Sequence, residues 1–112
     1  MPLNRVTRGR ALVGSVNVGG GSNIKKIQAG TVSLDPGSIA AATRGSVTFT
    51  LTGARAGDRV YVTMPAALED DLLPLGARVT ADDTVTVYLY NPTAGAIDGA
   101  ALTWDYLWLD LT

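Results

Sequence analysis

The stretch Ser46-Val47-Thr48-Phe49-Thr50-Leu51-Thr52 decides the fold. Val47, Phe49 and Leu51 fall on one face of an extended chain, and Ser46, Thr48, Thr50 and Thr52 on the other. β-branched and aromatic residues at this period read as a half-buried strand. The same alternation recurs downstream. Val60, Val62 and Met64 alternate with Arg59, Tyr61 and Thr63 until Pro65 ends the pairing. Ala77, Val79 and Ala81 follow, then Val85, Val87 and Leu89 against Thr84, Thr86, Tyr88 and Tyr90. Residues 101–111 make a last strand. Upstream, residues 27–34 alternate around Val32 and Leu34 and close on the turn Asp35-Pro36-Gly37.

Turn chemistry separates these runs: Gly53-Ala54-Arg55-Ala56-Gly57-Asp58, the tight turn Asp82-Asp83, and Asn91-Pro92-Thr93-Ala94-Gly95. Residues 66–75, bracketed by Pro65 and Pro74, read as a loop with one turn of helix. About six strands joined by loops, with no crossover helix, predict an all-β domain, a small antiparallel β-sandwich or jelly-roll-like barrel. That domain covers residues 24–112. Residues 1–23 read as an extended basic N-terminal arm, hinged at Gly19-Gly20-Gly21-Ser22.

A chain of 112 residues suffices for one domain. It has no Cys and no His, which removes disulfide scaffolds, Cys/His metal sites and every mechanism based on imidazole. Hydrophobic residues at 46% against 17% charged describe a globular chain. The residues after Arg5, Arg8 and Arg10 are too short an apolar run for a signal peptide, and no run reaches the roughly 20 residues of a membrane helix.

Net charge is −1, but it is unevenly spread. Residues 1–44 set Arg5, Arg8, Arg10, Lys25, Lys26 and Arg44 against Asp35 alone. In residues 45–112, Arg55, Arg59 and Arg78 face nine carboxylates. A basic arm on an acidic body is either a solvated tail or a contact to an acidic neighbour. The arm has no aromatic residue for base stacking, so an acidic protein surface fits it better than nucleic acid.

Candidate chemistry is sparse. Glu69-Asp70-Asp71 is the densest carboxylate group, but it lacks the alternation of a calcium loop and an identifiable partner carboxylate, and it reads as a solvated acidic loop. There is no Gly-x-Ser-x-Gly elbow. The glycines at 19–21 lack the Lys-Ser/Thr ending of a phosphate loop. The chain reads as a non-enzyme without cofactor or metal.

The last strand is apolar on both faces. Leu102, Trp104, Tyr106 and Trp108 share one, and Leu107, Leu109 and Leu111 the other. A sandwich strand needs only one apolar face. The aromatic face, together with Tyr88 and Tyr90, is expected to be an oligomer interface. The alternative is that residues 1–23 fold back over it. A trimer suits a wedge-shaped sandwich best. The same aromatics could equally form a sugar platform.

From Thr31 to Tyr106 the chain resembles a short β-domain of virion proteins of tailed bacteriophages. The likeness is carried by Val32-Ser33-Leu34-Asp35-Pro36 with Ser38-Ile39-Ala40-Ala41, and by Val47-Thr48-Phe49-Thr50-Leu51-Thr52-Gly53. It continues through Ala56-Gly57-Asp58-Arg59-Val60, Gly76-Ala77-Arg78-Val79-Thr80-Ala81 and Asp83-Thr84-Val85-Thr86-Val87, to Asn91-Pro92-Thr93 with Ala96-Ile97-Asp98. The ending Trp104-Asp105-Tyr106-Leu107-Trp108 is more aromatic than is usual there. These framework residues hold no catalytic group.

The resemblance implies a particle-surface protein of the head-decoration or fibre type. The expectation is a capsid decoration (cement) protein in the virion, a homotrimer on the outer surface of the major capsid protein. It would touch neither nucleic acid nor membrane. Its capsid-contacting arm would carry Arg5, Arg8, Arg10, Lys25 and Lys26. The alternative is a head or tail fibre component, or a receptor- or glycan-binding adhesion module.

Overall fold

The computed structural model describes Ser15, Asn17 and residues 19–111. Among them are eight strands and no helix: β1 (Lys26–Leu34), β2 (Gly37–Ile39), β3 (Thr43–Thr50), β4 (Arg59–Thr63), β5 (Leu73–Ala81), β6 (Thr84–Asn91), β7 (Ile97–Gly99) and β8 (Leu102–Asp110). They form two three-stranded antiparallel sheets, ordered β1-β8-β4 and β3-β6-β5, with β2-β7 as a separate ribbon. The protein is an all-β sandwich of open sheets. The chain nests its pairings, first strand with last, second with seventh, third with sixth.

Alternation sets the core, as the pleat requires. From the first sheet, Val32, Trp104, Tyr106, Trp108, Val60 and Val62 point inward; Val32 pairs with Trp104, and Val60 and Val62 pair with Trp108 and Tyr106. From the second, Phe49 pairs with Val85 and Val47 with Val87, and Ala77 and Val79 complete the layer. Leu34, Ile39, Leu51, Ala54, Leu68 and Leu72 close the ends. Tyr106 crosses the interior to Phe49 at 5.7 Å between ring centroids. The ring lies over the bare backbone of Gly30, where any Cβ would stand 2.7 Å from the phenol oxygen. Gln28 Nε2 donates to that oxygen at 2.8 Å.

Three sequence expectations are corrected. Eight strands replace six, because β2 and β7 are only 3 residues each, too short to display a period. Residues 66–72 contain turns, closed by Leu68 N to Pro65 O and Leu72 N to Glu69 O, and no helix. β5 begins at Leu73 and includes Pro74, which the sequence places in a loop. An edge strand with a bulge between Pro74 and Gly76 tolerates the missing N–H.

Two polar residues anchor the loops. Asp58, 7% exposed, accepts bonds from Arg55 N (3.0 Å), Trp108 Nε1 (3.1 Å) and Leu111 N (2.9 Å). Asn91, fully buried, donates to Ile39 O and Gly95 O and accepts from Thr93 N and Thr93 Oγ1. Both thereby satisfy groups that burial would otherwise orphan.

Candidate functional surface

The five aromatics expected at one interface are split between core and surface. Trp104 and Trp108 are each 1% exposed, inside the chain's own core, and Tyr106 is half-buried beside them. The expectation that they face a partner subunit is corrected: the facing β3-β6-β5 sheet covers that side of β8. Tyr88 and Tyr90 lie on the outer surface of the other sheet, both half-buried.

The apolar face of β8 that no strand covers among the described residues is the opposite one. Leu109 pairs with Ile27 and Arg59, and Leu107 with Ala29 and Tyr61, so these side chains share the outer surface of the β1-β8-β4 sheet. Ile27 is 61% exposed, Tyr61 57% and Leu107 38%. The period placed the leucines on one face correctly, but a pattern apolar on both sides does not say which side is inward.

Lys25 and Lys26, expected in an arm, belong to the sheet edge. Lys25 N donates to Asp110 O at 2.7 Å, and Lys26 Nζ lies 4.4 Å from the centre of the Trp108 ring. Lys26 thus covers the rim of a core indole through a cation–π contact. Arg5, Arg8 and Arg10 lie outside the described residues.

On the outer surface of β3-β6-β5, Tyr88 is flanked by two arginines. Arg44 Cζ stands 4.7 Å and Arg78 Cζ 5.2 Å from its ring centre, and Arg78 Nη2 donates to its hydroxyl at 3.1 Å. Opposite Tyr88 on β5 is Gly76, at φ +133°, with open space where a side chain would stand. The result is a shallow groove of about 260 Å³ lined by Arg44, Leu75, Gly76, Ala77, Arg78 and Tyr88. Nothing local in the sequence marks this pair. Arg44 and Arg78 are 34 positions apart, and only the sheet register brings them to one tyrosine.

The carboxylates are dispersed. Glu69 is not solvated as expected: Oε2 accepts from Ala100 N at 3.3 Å, and Oε1 is buried without a partner, as is Trp104 Nε1. Asp70 and Asp71 are exposed. Among the described residues no group of three or more potential metal ligands occurs. A Ser-x-x-Lys spacing occurs at Ser22 and Lys25, but the intervening chain is not helical. Asp83 accepts from Gly53 N (2.8 Å) and Arg55 Nη1 (3.0 Å), and the backbone bond from Gly53, then the guanidinium, hold its carboxyl below the usual range.

The domain is a β-sandwich with an apolar sheet face on one side and a groove of two arginines and a tyrosine on the other. A scan against protein-family models, a search of curated proteins and a search of solved structures each return no match.

Proposed function

We propose that this protein is a structural component of a tailed-phage virion, a capsid decoration protein that associates with itself as a homotrimer and seats on the outer capsid surface. The observation that carries the reading is the exposed apolar face built by Ile27, Tyr61, Leu107 and Leu109. Among the described residues no second layer covers it, and contiguous apolar surface of this kind marks an interface. The occupant we assign to it is a second copy of the chain. Burial there contributes roughly 25 cal/mol per Å² before the costs of association. In this reading the mechanism is mechanical: each copy seated across coat subunits adds contacts that resist the pressure of packaged DNA. Residues 1–23, with Arg5, Arg8 and Arg10, supply the reach onto the major capsid protein. The likeness of residues 31–106 to virion β-domains supports the same assignment.

The test is mass measurement by light scattering with co-sedimentation on expanded capsids. The wild-type chain is expected to form trimers and to decorate, and Tyr61→Glu with Leu107→Glu to give monomers. A monomeric wild type that fails to bind capsids overturns the reading. The second reading, a fibre component or glycan-binding adhesion module, is favoured by Tyr88 and Tyr90 on the outer surface. Copy number in the particle separates the two: a decoration protein matches the coat in scale, and a fibre is far rarer.

A further inference from the structure

We propose that the Arg44–Tyr88–Arg78 groove binds an acidic segment of a partner protein, an Asp or Glu pair flanked by an aliphatic side chain. The inference goes beyond the capsid reading and does not depend on it.

Charge placement is the first argument. Residues 45–112 carry nine carboxylates; Arg55 pairs with Asp82 and Asp83, and among the described residues no ion pair reaches Arg44 or Arg78. Both arginines are exposed. Standing over one ring, their guanidinium carbons lie within about 10 Å of each other, about one Debye length at 0.1 M salt. A carboxylate seated against either guanidinium also lies within reach of the second charge. The cost of ordering them is already met in part, because the ring holds both and the Tyr88 hydroxyl accepts from Arg78. A guanidinium is planar and presents its N–H donors as a fork, the geometry that takes a carboxylate bidentately.

The lining then chooses the carrier of the carboxylate. Leu75, 57% exposed, forms an apolar wall, and Leu73, 47% exposed, pairs with Tyr90 on the same surface. The side chains lining the groove include no amide or carboxylate to accept from sugar hydroxyls. A saccharide finds one side-chain acceptor there, the Tyr88 hydroxyl that Arg78 already occupies, whereas an acidic residue beside an aliphatic one matches both arginines and leucine. Arg and Tyr on an apolar surround are also the residue types that dominate protein interfaces. A long polyanion fits less well, since the surrounding body is acidic.

The experiment is a ¹⁵N-edited NMR titration of the full chain with three probes: acetyl-Leu-Glu-Glu-Leu-amide, its Gln-Gln counterpart, and sodium glucuronate. The Glu peptide is expected to give saturable shifts at Gly76, Ala77 and Tyr88 with a Kd near about 1 mM, weakening as salt is raised. Arg44→Gln and Arg78→Gln should each weaken it about tenfold. Arg44→Lys should restore only part, because an ammonium cannot bind bidentately. Both arginines are on the solvent face, so an unchanged thermal midpoint shows that the fold survives substitution. Absent saturation, an equal response to the Gln peptide, or insensitivity to both Gln variants overturns the proposal. Glucuronate binding as tightly as the Glu peptide overturns the protein-segment assignment in favour of an acidic saccharide. Full rescue by Arg44→Lys overturns the bidentate geometry.

Discussion

Replacing Asp58 with Ala tests how the core indole is held. Its carboxylate accepts bonds from Arg55 N, Trp108 Nε1 and Leu111 N, at 2.9–3.1 Å. Arg55 is exposed, so its N–H can turn to water. Trp108 is 1% exposed and has no such recourse. A hydrogen bond to a charged acceptor contributes about 1.5–3 kcal/mol, and an orphaned buried donor costs about 1–3 kcal/mol. Against this stands the desolvation that a buried carboxylate no longer bears in the variant. We expect a net loss of about 3 kcal/mol, which is about 12 °C in midpoint for a domain of this size. Urea unfolding at unchanged m-value measures it, and the Trp108 indole N–H resonance reports the lost bond directly. In a Trp108→Phe background the donor is already gone, so Asp58→Ala should cost about 1–2 kcal/mol less. A loss below about 0.5 kcal/mol, or an equal loss in both backgrounds, would refute the claim that this carboxylate anchors the last strand to the 53–58 loop.

Three further outcomes follow from the same packing. Gly30→Val should drive the Tyr106 ring away from β1, destabilising by about 2–3 kcal/mol and breaking the bond from Gln28, read by urea unfolding and the Tyr106 ring shifts. Asn91→Ala removes the donor to Ile39 O and the acceptor of Thr93 N, while Gly95 O keeps its bond from Thr93 Oγ1; a loss of about 2–3 kcal/mol and faster amide exchange in the β2-β7 ribbon are expected. Asp83 has a folded pKa depressed below 3.8, so its contribution is complete above that value and is lost as pH falls through the lower folded value. Asp83→Asn keeps a residue tolerant of φ +62° while removing the charge. The thermal midpoint of this variant should therefore fall less steeply with acid below pH 3.8 than that of the wild type.

The strands at 46–50, 59–63, 84–91 and 102–110 were legible because alternation is a local property: each side chain's face follows from its neighbours along one chain. The all-β class followed from the same signal. β2 and β7 were not legible, since 3 residues show no period and are held by Asn91 from across the fold. Nor was the role of Asp58, whose acceptors serve an indole 50 positions away.

The sequence by itself determined that β8 has two apolar faces and that Tyr88 lies opposite Val87 and Leu89 on its strand. Only the tertiary structure decided which face of β8 is inside and that the two arginines meet one ring. The first is settled by which sheet packs against β8, so Trp104 and Trp108 are buried and Leu107 is exposed. The second is settled by register, because β3 and β5 flank β6 and a shift of one residue would turn one of those side chains inward.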